Sequence, residues 1–345
     1  MYHMKYLRDR IGRWLPEQFQ PPSWREIHYQ ARQEQREHGL AWLPEARAAL
    51  RDTEWNFREA RESTVIVTGC NTNYLPLALD MSDSLRRHEE LREIPLVLLD
   101  FGLEPVKKIR LQNSGAQIVD FPWPVDVRKR NKFKDAHRAH LAKERLIELV
   151  PGYQIYVWVD ADIWFQTPIA LKSAIAIASK RILAIVPEIA SNPRMEQRYR
   201  DTLGRRTARR LRSKVTYNGG FFANHIDSPF WALYRNRGVI SANLTRKRLS
   251  DQAPLNEIIH LYDVAMVELP PTCNWLCSLM PPLWNSRQAL WLSPEDGSTP
   301  ISAMHLTDWT REKKTRVETD TGESMLMDCR YSAWKTFAGR STNAW

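Results

Sequence analysis

The chain has 345 residues, 43% of them hydrophobic. That supports one large α/β domain or two smaller ones and excludes a disordered tail. Its 50 Lys and Arg exceed its 40 Asp and Glu, giving a formal net charge of +10, which attracts polyanions and anionic membranes without implying nucleic-acid binding. Four scattered cysteines exclude a disulfide scaffold and fit a reducing compartment. No run approaches the roughly 18 apolar residues that span a bilayer, so a cytoplasmic location is expected.

Residues 1–61 read as a helical extension, broken at Pro21-Pro22 and Gly39, with a helix from about Leu40 to Arg61. The first forty residues mix Trp, Tyr and Leu with Arg and Lys, which suits either a packed appendage or a peripheral contact with a membrane surface. The pattern then changes. Ser63–Thr68 is a β-rich run closed by Gly69, and Leu75–His88 reads as a helix. Strands are expected at Ile94–Leu99 and Ala116–Phe121, and a continuous helix at Asp135–Leu149. Further strands are expected at Ile155–Val159 and Ile182–Val186. Alternating strands and helices predict an α/β fold, with a mostly parallel central sheet flanked by helices and ligands beyond the carboxyl ends of its strands. The segment Arg205–Lys214 concentrates positive charge. It is a solvated helix face or an anion-facing surface. The tail from 312 to 345 is polar and weakly patterned.

The sharpest local signal is Ile155-Tyr156-Val157-Trp158-Val159-Asp160-Ala161-Asp162-Ile163-Trp164-Phe165. Two carboxylates interrupt an apolar run, and in extended backbone they point to the same side. Like charges in a poorly solvated place are costly, and a divalent cation offsets that cost. Oxygen ligands favour Mg2+ or Mn2+ over zinc. A solvated turn is the competing reading. The second signal is Tyr217-Asn218-Gly219-Gly220, where glycines allow close approach to a ligand. There Asn218 offers a donor and an acceptor to a sugar hydroxyl, or the segment is simply a tight turn before a buried strand. The third is Asp251-Gln252, a helix cap or a pair beside a reacting carbon. His305 can complete a metal site, and Arg311, Lys313 and Lys314 beyond it can neutralise phosphate. Lys143 is either a surface lysine or a contact to the donor.

Together these motifs resemble the GT-A glycosyltransferases, most closely the family 8 group, over roughly residues 63–311. Val67-Thr68-Gly69-Cys70-Asn71-Thr72-Asn73-Tyr74 looks like the first strand and nucleotide loop, Asp160-Ala161-Asp162 like the DxD motif, and Asn218-Gly219-Gly220 with Asp251-Gln252 and Leu255-Asn256 like the sugar-site motifs. The resemblance implies a GT-A catalytic domain at 62–311. It implies nucleotide contacts from Thr68, Asn71, Tyr74 and Asp160, and a metal held by Asp160, Asp162 and His305. Lys143, Asn218 and Gly219 would meet the donor sugar, with Asp251 and Gln252 as catalytic residues and Arg311 and Lys314 on the phosphates. The implied activity is transfer of a sugar from a nucleotide diphosphate, UDP by family expectation, with retained configuration. The acceptor is an unidentified glycan, lipid-linked molecule or protein, and nucleic acid is not expected. No residue stands out as a covalent nucleophile. Two positions depart from the family pattern. Asp308 stands where the family's His-x-x-Gly-x-x-Lys has glycine, with Arg311 at its lysine position, and Lys143 replaces a common arginine. The competing classes are a metal-dependent nucleotidyltransferase or phosphohydrolase, marked by pyrophosphate release without sugar transfer, and a non-catalytic polyanion-binding module, marked by binding that survives loss of Asp160. A Gly-x-x-x-x-Gly-Lys-Ser/Thr loop is absent from the sequence, which argues against a P-loop enzyme.

Overall fold

The computed structural model describes residues 52–341, apart from 114–115, 129–132, 134, 190–192, 246–248 and 263. The expected N-terminal elements before residue 52 lie outside these residues. Of the expected helix at 40–61, the described part contains α1, Thr53–Ala60.

The core is a seven-stranded sheet in the order β3-β2-β1-β4-β7-β6-β8. Its strands are β1 (Thr64–Cys70), β2 (Leu96–Asp100), β3 (Ala116–Asp120), β4 (Ile155–Val159), β6 (Leu183–Pro187), β7 (Tyr217–His225) and β8 (Met266–Glu268). A separate three-stranded sheet holds β5 (Ile163–Phe165), β12 (Ala303–His305) and β9 (Trp275–Leu276). In the seven-stranded sheet β1 pairs parallel with β2 and β4, and β7 runs antiparallel to both β4 and β6. The fold is therefore α/β with a largely parallel sheet, as the alternation implies. Strand residues alternate between two cores. Ile66, Val157 and Val159 face one side, while Val65, Val67, Tyr156 and Trp158 face the other. Helices α2 (Leu75–Arg86) and α5 (Ile169–Ala178) cover the first face. Helices α8 (Phe230–Leu244) and α9 (Gln252–Leu261) cover the second.

Two expectations change. The segment Asp135–Leu149 is not one continuous helix. It breaks into 3₁₀ turns at Asp135–Arg138 and Lys143–Arg145, with α-helical turns at Ala139–Ala142 (α4) and Leu146–Leu149. Burial supplies the reason. Lys143, Glu144 and Arg145 are all inside the protein, and the tighter winding turns three successive charged side chains toward three different partners. Lys143 turns toward the cleft, Glu144 packs on α8 and Arg145 pairs with Asp126 at 2.7 Å. The tail also differs. Thr315–Thr319 (β13) and Ser324–Met327 (β14) form a hairpin on a four-stranded sheet with Leu283–Asn285 (β10) and Leu290–Leu292 (β11). Helix α10, Tyr331–Ser341, follows. These elements share a third core with Trp164, Trp275 and Trp291. All four cysteines are buried free thiols. No helix among the described residues is long and apolar enough to cross a membrane.

The Glu144–α8 contact is tight. A Cβ at Gly238 would stand 1.3 Å from Glu144 Oε2. Gly238→Ala gains about 1 kcal/mol of helix propensity but forces a buried carboxyl aside, and overpacking costs about 1–3 kcal/mol or more. The expected result is a lowered urea midpoint; a raised midpoint refutes the contact. Burial also pushes the Glu144 carboxyl well above its usual range, against the nearby Arg145. The folded state therefore holds this proton more tightly than the unfolded chain, so stability falls as pH rises from the unfolded pKa, about 4.3, through the raised folded value. Glu144→Gln should flatten that slope and raise stability at neutral and alkaline pH relative to the parent, which chemical denaturation at several pH values checks.

Candidate metal and nucleotide site

The site is assembled by strand pairing. β4 ends at Val159, and its neighbour β7 brings Gly220 opposite the next residue, Asp160 N donating to Gly220 O at 2.8 Å. The β6–β7 register breaks between Ile185 and Val186, from Phe222 to Asn218, so Gly219, Gly220 and Phe221 bulge out of that pairing. Bulges re-aim the groups near them, and here the Gly219 carbonyl accepts from Lys143 Nζ at 2.8 Å. After the acid pair, β5 pairs antiparallel with β12, setting His305 opposite Ile163, and Leu306 N donates to Asp162 O at 2.9 Å. A histidine remote in sequence thus lands beside the two acids.

Asp160, Asp162 and His305 offer one ligand atom each, all within 4.8 Å of one another. His305 Nε2 lies 3.3 Å from Asp162 Oδ1 and 4.0 Å from Asp160 Oδ2. Its Nδ1 meets Asn274 Oδ1 at 2.9 Å, while Asn274 Nδ2 donates to Asn218 Oδ1 at 3.1 Å. That amide orientation puts a ring proton on Nδ1 and leaves Nε2 facing the acids, the arrangement a metal-ligating histidine needs. The cradle is closely cut. A Cβ at Gly220 would stand 2.5 Å from His305 Cε1, 2.7 Å from Asn218 Oδ1 and 3.0 Å from Asp160 Oδ2. Two carboxylates and an imidazole are a donor set that fits a divalent cation. Gly220→Ala is expected to weaken Mn2+ binding by about 10–100-fold, the range seen when groups around a ligand are disturbed, with the circular dichroism of the fold retained. Calorimetry with Mn2+ checks this, and unchanged affinity refutes the cradle.

Each acid also has its own cation. Arg311 Nε donates to Asp162 Oδ2 at 2.6 Å. Burial raises the Asp162 carboxyl, but His305 and Arg311 outweigh it and hold the group below the usual carboxylate range. Lys143, 4% exposed, sits between Asp160 Oδ1 at 2.9 Å and Asp251 Oδ2 at 2.5 Å. Burial works against its charge, and the two carboxylates reverse that, raising its pKa. Trp158 Nε1 donates to Asp160 Oδ1 at 2.7 Å, and His140 Nδ1 lies 3.0 Å from Asp251 Oδ1. Asp251 stands at the N-cap of α9 yet makes no side-chain cap bond. The capping reading is replaced by ion pairing with Lys143. Burial would raise the Asp251 carboxyl, but Lys143 and His140 hold it below its usual range.

Asn71, Tyr74, Lys143, Asp160, Asp162, Asn218, Gly219, Asp251, Gln252, His305 and Arg311 all line one cleft of about 420 Å3. Thr68 and Lys314 do not. Thr68 is buried inside β1, its neighbours along the strand alternating into the two cores, and Lys314 is exposed at the start of the C-terminal hairpin. Asn71 spends its side-chain oxygen on the N–H groups of Asn73 and Tyr74, which shapes the loop. Tyr74 carries the Arg311 guanidinium 5.3 Å above its ring centre. Asn218 was expected to offer donor and acceptor together. Its oxygen already accepts from Gly220 N and Asn274, and its amide donates to Glu188 at 3.3 Å, so at most one amide hydrogen remains for a ligand. Gln252 Nε2 donates to Glu188 Oε1 at 2.7 Å and to Tyr217 O at 3.0 Å. Asp308 takes a φ of +51°, the left-handed region that glycine enters most easily and that aspartate is among the residues to tolerate. Four members of the site, Trp158, His140, Glu188 and Asn274, carried no signal of their own in the sequence.

No protein-family model matches the sequence, and no curated protein sequence matches it. Among solved structures, the galactosyltransferase LgtC in complex with donor and acceptor sugar analogs aligns at 12% identity over 80% of this chain and 95% of that one, with a TM-score of 0.49. The apo structure of the bifunctional glycosyltransferase WbbM aligns at 15% identity over 71% of this chain and 46% of that one, with a TM-score of 0.48. Apo mouse xyloside xylosyltransferase 1 aligns at 12% over 70% and 96%, with a TM-score of 0.45. Fold and site together define an α/β protein whose cleft holds a buried Asp-Asp-His cluster able to coordinate a divalent metal.

Proposed function

We propose that the chain is a metal-dependent glycosyltransferase of the GT-A type, taking a sugar from a nucleotide diphosphate, UDP by resemblance, and passing it to an acceptor with retained configuration. The observation that carries this reading is the convergence of Asp160, Asp162 and His305 at the carboxyl end of β4, in one cleft with Lys143, Asp251 and Gln252. Bound Mn2+ or Mg2+ would supply Lewis-acid stabilisation of the departing diphosphate. Asp160, Asp162 and His305 would hold that ion. Tyr74 and Asn71 border the part of the cleft next to β1, where the resemblance seats the base and ribose. Lys143 is locked between Asp160 and Asp251 and keeps the donor side of the cleft from carrying excess negative charge. Asp251 and Gln252 stand where the resemblance places the reacting carbon, Gln252 fixed by Glu188. A phosphate oxygen of the leaving group would accept the acceptor's proton.

Incubation with Mn2+ and a panel of nucleotide sugars, followed by mass spectrometry, tests the reading. The expected result is metal-dependent release of a nucleoside diphosphate from one donor. Folded protein that binds Mn2+ yet neither binds nor turns over any donor removes it. Pyrophosphate release without sugar transfer points to nucleotidyl chemistry instead.

A further inference from the structure

The basic run at 205–214 is not absorbed by the site. It forms α7, Arg205–Leu211, packed beside α6, Pro193–Leu203. Met195, Tyr199 and Leu203 of α6 form one apolar cluster with Ala208 and Leu211 of α7 and Ala253 of α9. Because α9 begins at Gln252, this cluster fixes α7 rigidly to the element that carries the catalytic pair. Arg198, on α6, lines the cleft itself. On α7, Arg205, Arg206, Arg209 and Arg210 line an open hollow of about 390 Å3.

These four arginines are exposed, and none has an ion pair among the described residues. Of the acids on α6, Glu196 is occupied by Arg200 at 2.5 Å and Arg212 at 3.6 Å, and Asp201 accepts from Gln197 Nε2 at 2.9 Å. Arg205 and Arg209, and Arg206 and Arg210, are four apart on one helix, a spacing at which like charges repel. The helix thus retains a repulsion that an anion in the hollow would relieve. Guanidinium forks match carboxylate and phosphate oxygens two at a time. No large apolar side chain is exposed among the described residues of 193–214. The surface therefore lacks the apolar wedge of a membrane-docking helix and the exposed aromatic rings on which bases stack.

We propose that the α6–α7 surface binds an anionic glycan chain and delivers its end, past Arg198, into the cleft. The acceptor is then a carboxylate- or phosphate-bearing saccharide. This rests on the sugar-transfer reading above, since only an acceptor needs to reach from this surface to the donor.

Fluorescence anisotropy with labelled oligogalacturonate tests the surface. Three proteins are compared at rising NaCl: the full chain, R205Q/R206Q/R209Q/R210Q, and a charge-matched control, R58Q/R110Q/R316Q/K335Q. The expected result is at least about tenfold weaker binding and a shallower salt dependence in the first variant, with little change in the control. Calorimetry of Mn2+ and UDP binding, expected to be equal in all three, shows that the cleft is intact and tests the donor reading separately. Equal losses in both variants, no binding by the parent, or tighter binding to 3:1 phosphatidylcholine–phosphatidylglycerol vesicles or duplex DNA than to the saccharide overturns the proposal. Arginine-dependent saccharide binding by a protein that binds no Mn2+–UDP overturns the acceptor role.

Discussion

Replacing Asp162 with asparagine is expected to weaken Mn2+ binding by more than about 100-fold, because disturbing only the groups around a metal ligand already costs 10–100-fold. Asp162 is the most enclosed of the two acids, 5% exposed, and its two oxygens do different work. Oδ1 faces His305 at 3.3 Å, whereas Oδ2 accepts from Arg311 at 2.6 Å. An amide can keep a neutral bond to Arg311 through its oxygen, but it then presents an N–H₂ group, not a lone pair, to the metal position. The substitution therefore removes the ligand while leaving much of the packing in place. Manganese binding followed by electron paramagnetic resonance, with circular dichroism as the check on folding, reads both effects. Undiminished binding in a folded variant would show that the three side chains do not hold the ion.

Lys143→Met is expected to cost about 3–5 kcal/mol of stability, the range for removing one partner of a buried ion pair. Its ammonium is the shared partner of Asp160 and Asp251 and also donates to the Gly219 carbonyl. Methionine fills similar space and leaves the enclosed Asp251 and the half-buried Asp160 facing an apolar tip. Urea unfolding measures the loss as a shift in midpoint at constant slope. Lys143→Arg should recover part of the stability, since it keeps the charge, but not nucleotide binding to the parent level, because the planar fork does not fit a position built around a point charge. Unchanged stability in the methionine variant would mean that the two acids do not depend on this lysine.

Much of the sheet was legible because β1, β2, β4 and β6 are short apolar runs buried on both sides. Ile155–Val159 has the bounds expected from sequence, and β1, β2, β3 and β6 fall within about two residues of theirs, the usual slack at element ends. Asp160 and Asp162 stood out as charges interrupting such a run. His305 was legible only through its resemblance to the head of a His-x-x-Gly-x-x-Lys pattern; what brings it to the acids is the β5–β12 pairing, and a pairing between distant segments leaves no mark in the spacing of either. Asn274, Glu188 and His140 were hidden for the same reason. Each is an ordinary polar residue locally and becomes a site member only through a bond to a remote partner. The break in the helix at Lys143–Arg145 was missed because propensity treats three charges as solvent-facing, whereas here burial with partners decides their winding. One signal was present and unread. Thr315–Thr319 alternates buried and exposed side chains, the period of a half-buried strand, inside a tail whose polarity hid it.

Trp164 follows the acid pair by two positions. Its Nε1 donates to Cys329 O at 2.8 Å, and its ring lies 5.6 Å from Tyr331 and 5.5 Å from Trp334. The backbone that aims the carboxylates is thus braced by residues 165 positions further along the chain. On the ribosome the acids emerge long before their brace, so the nascent chain cannot mature its cation-gripping geometry until translation has passed Trp334. A chain halted between His305 and Cys329 would carry every ligand and still leave them poorly aimed.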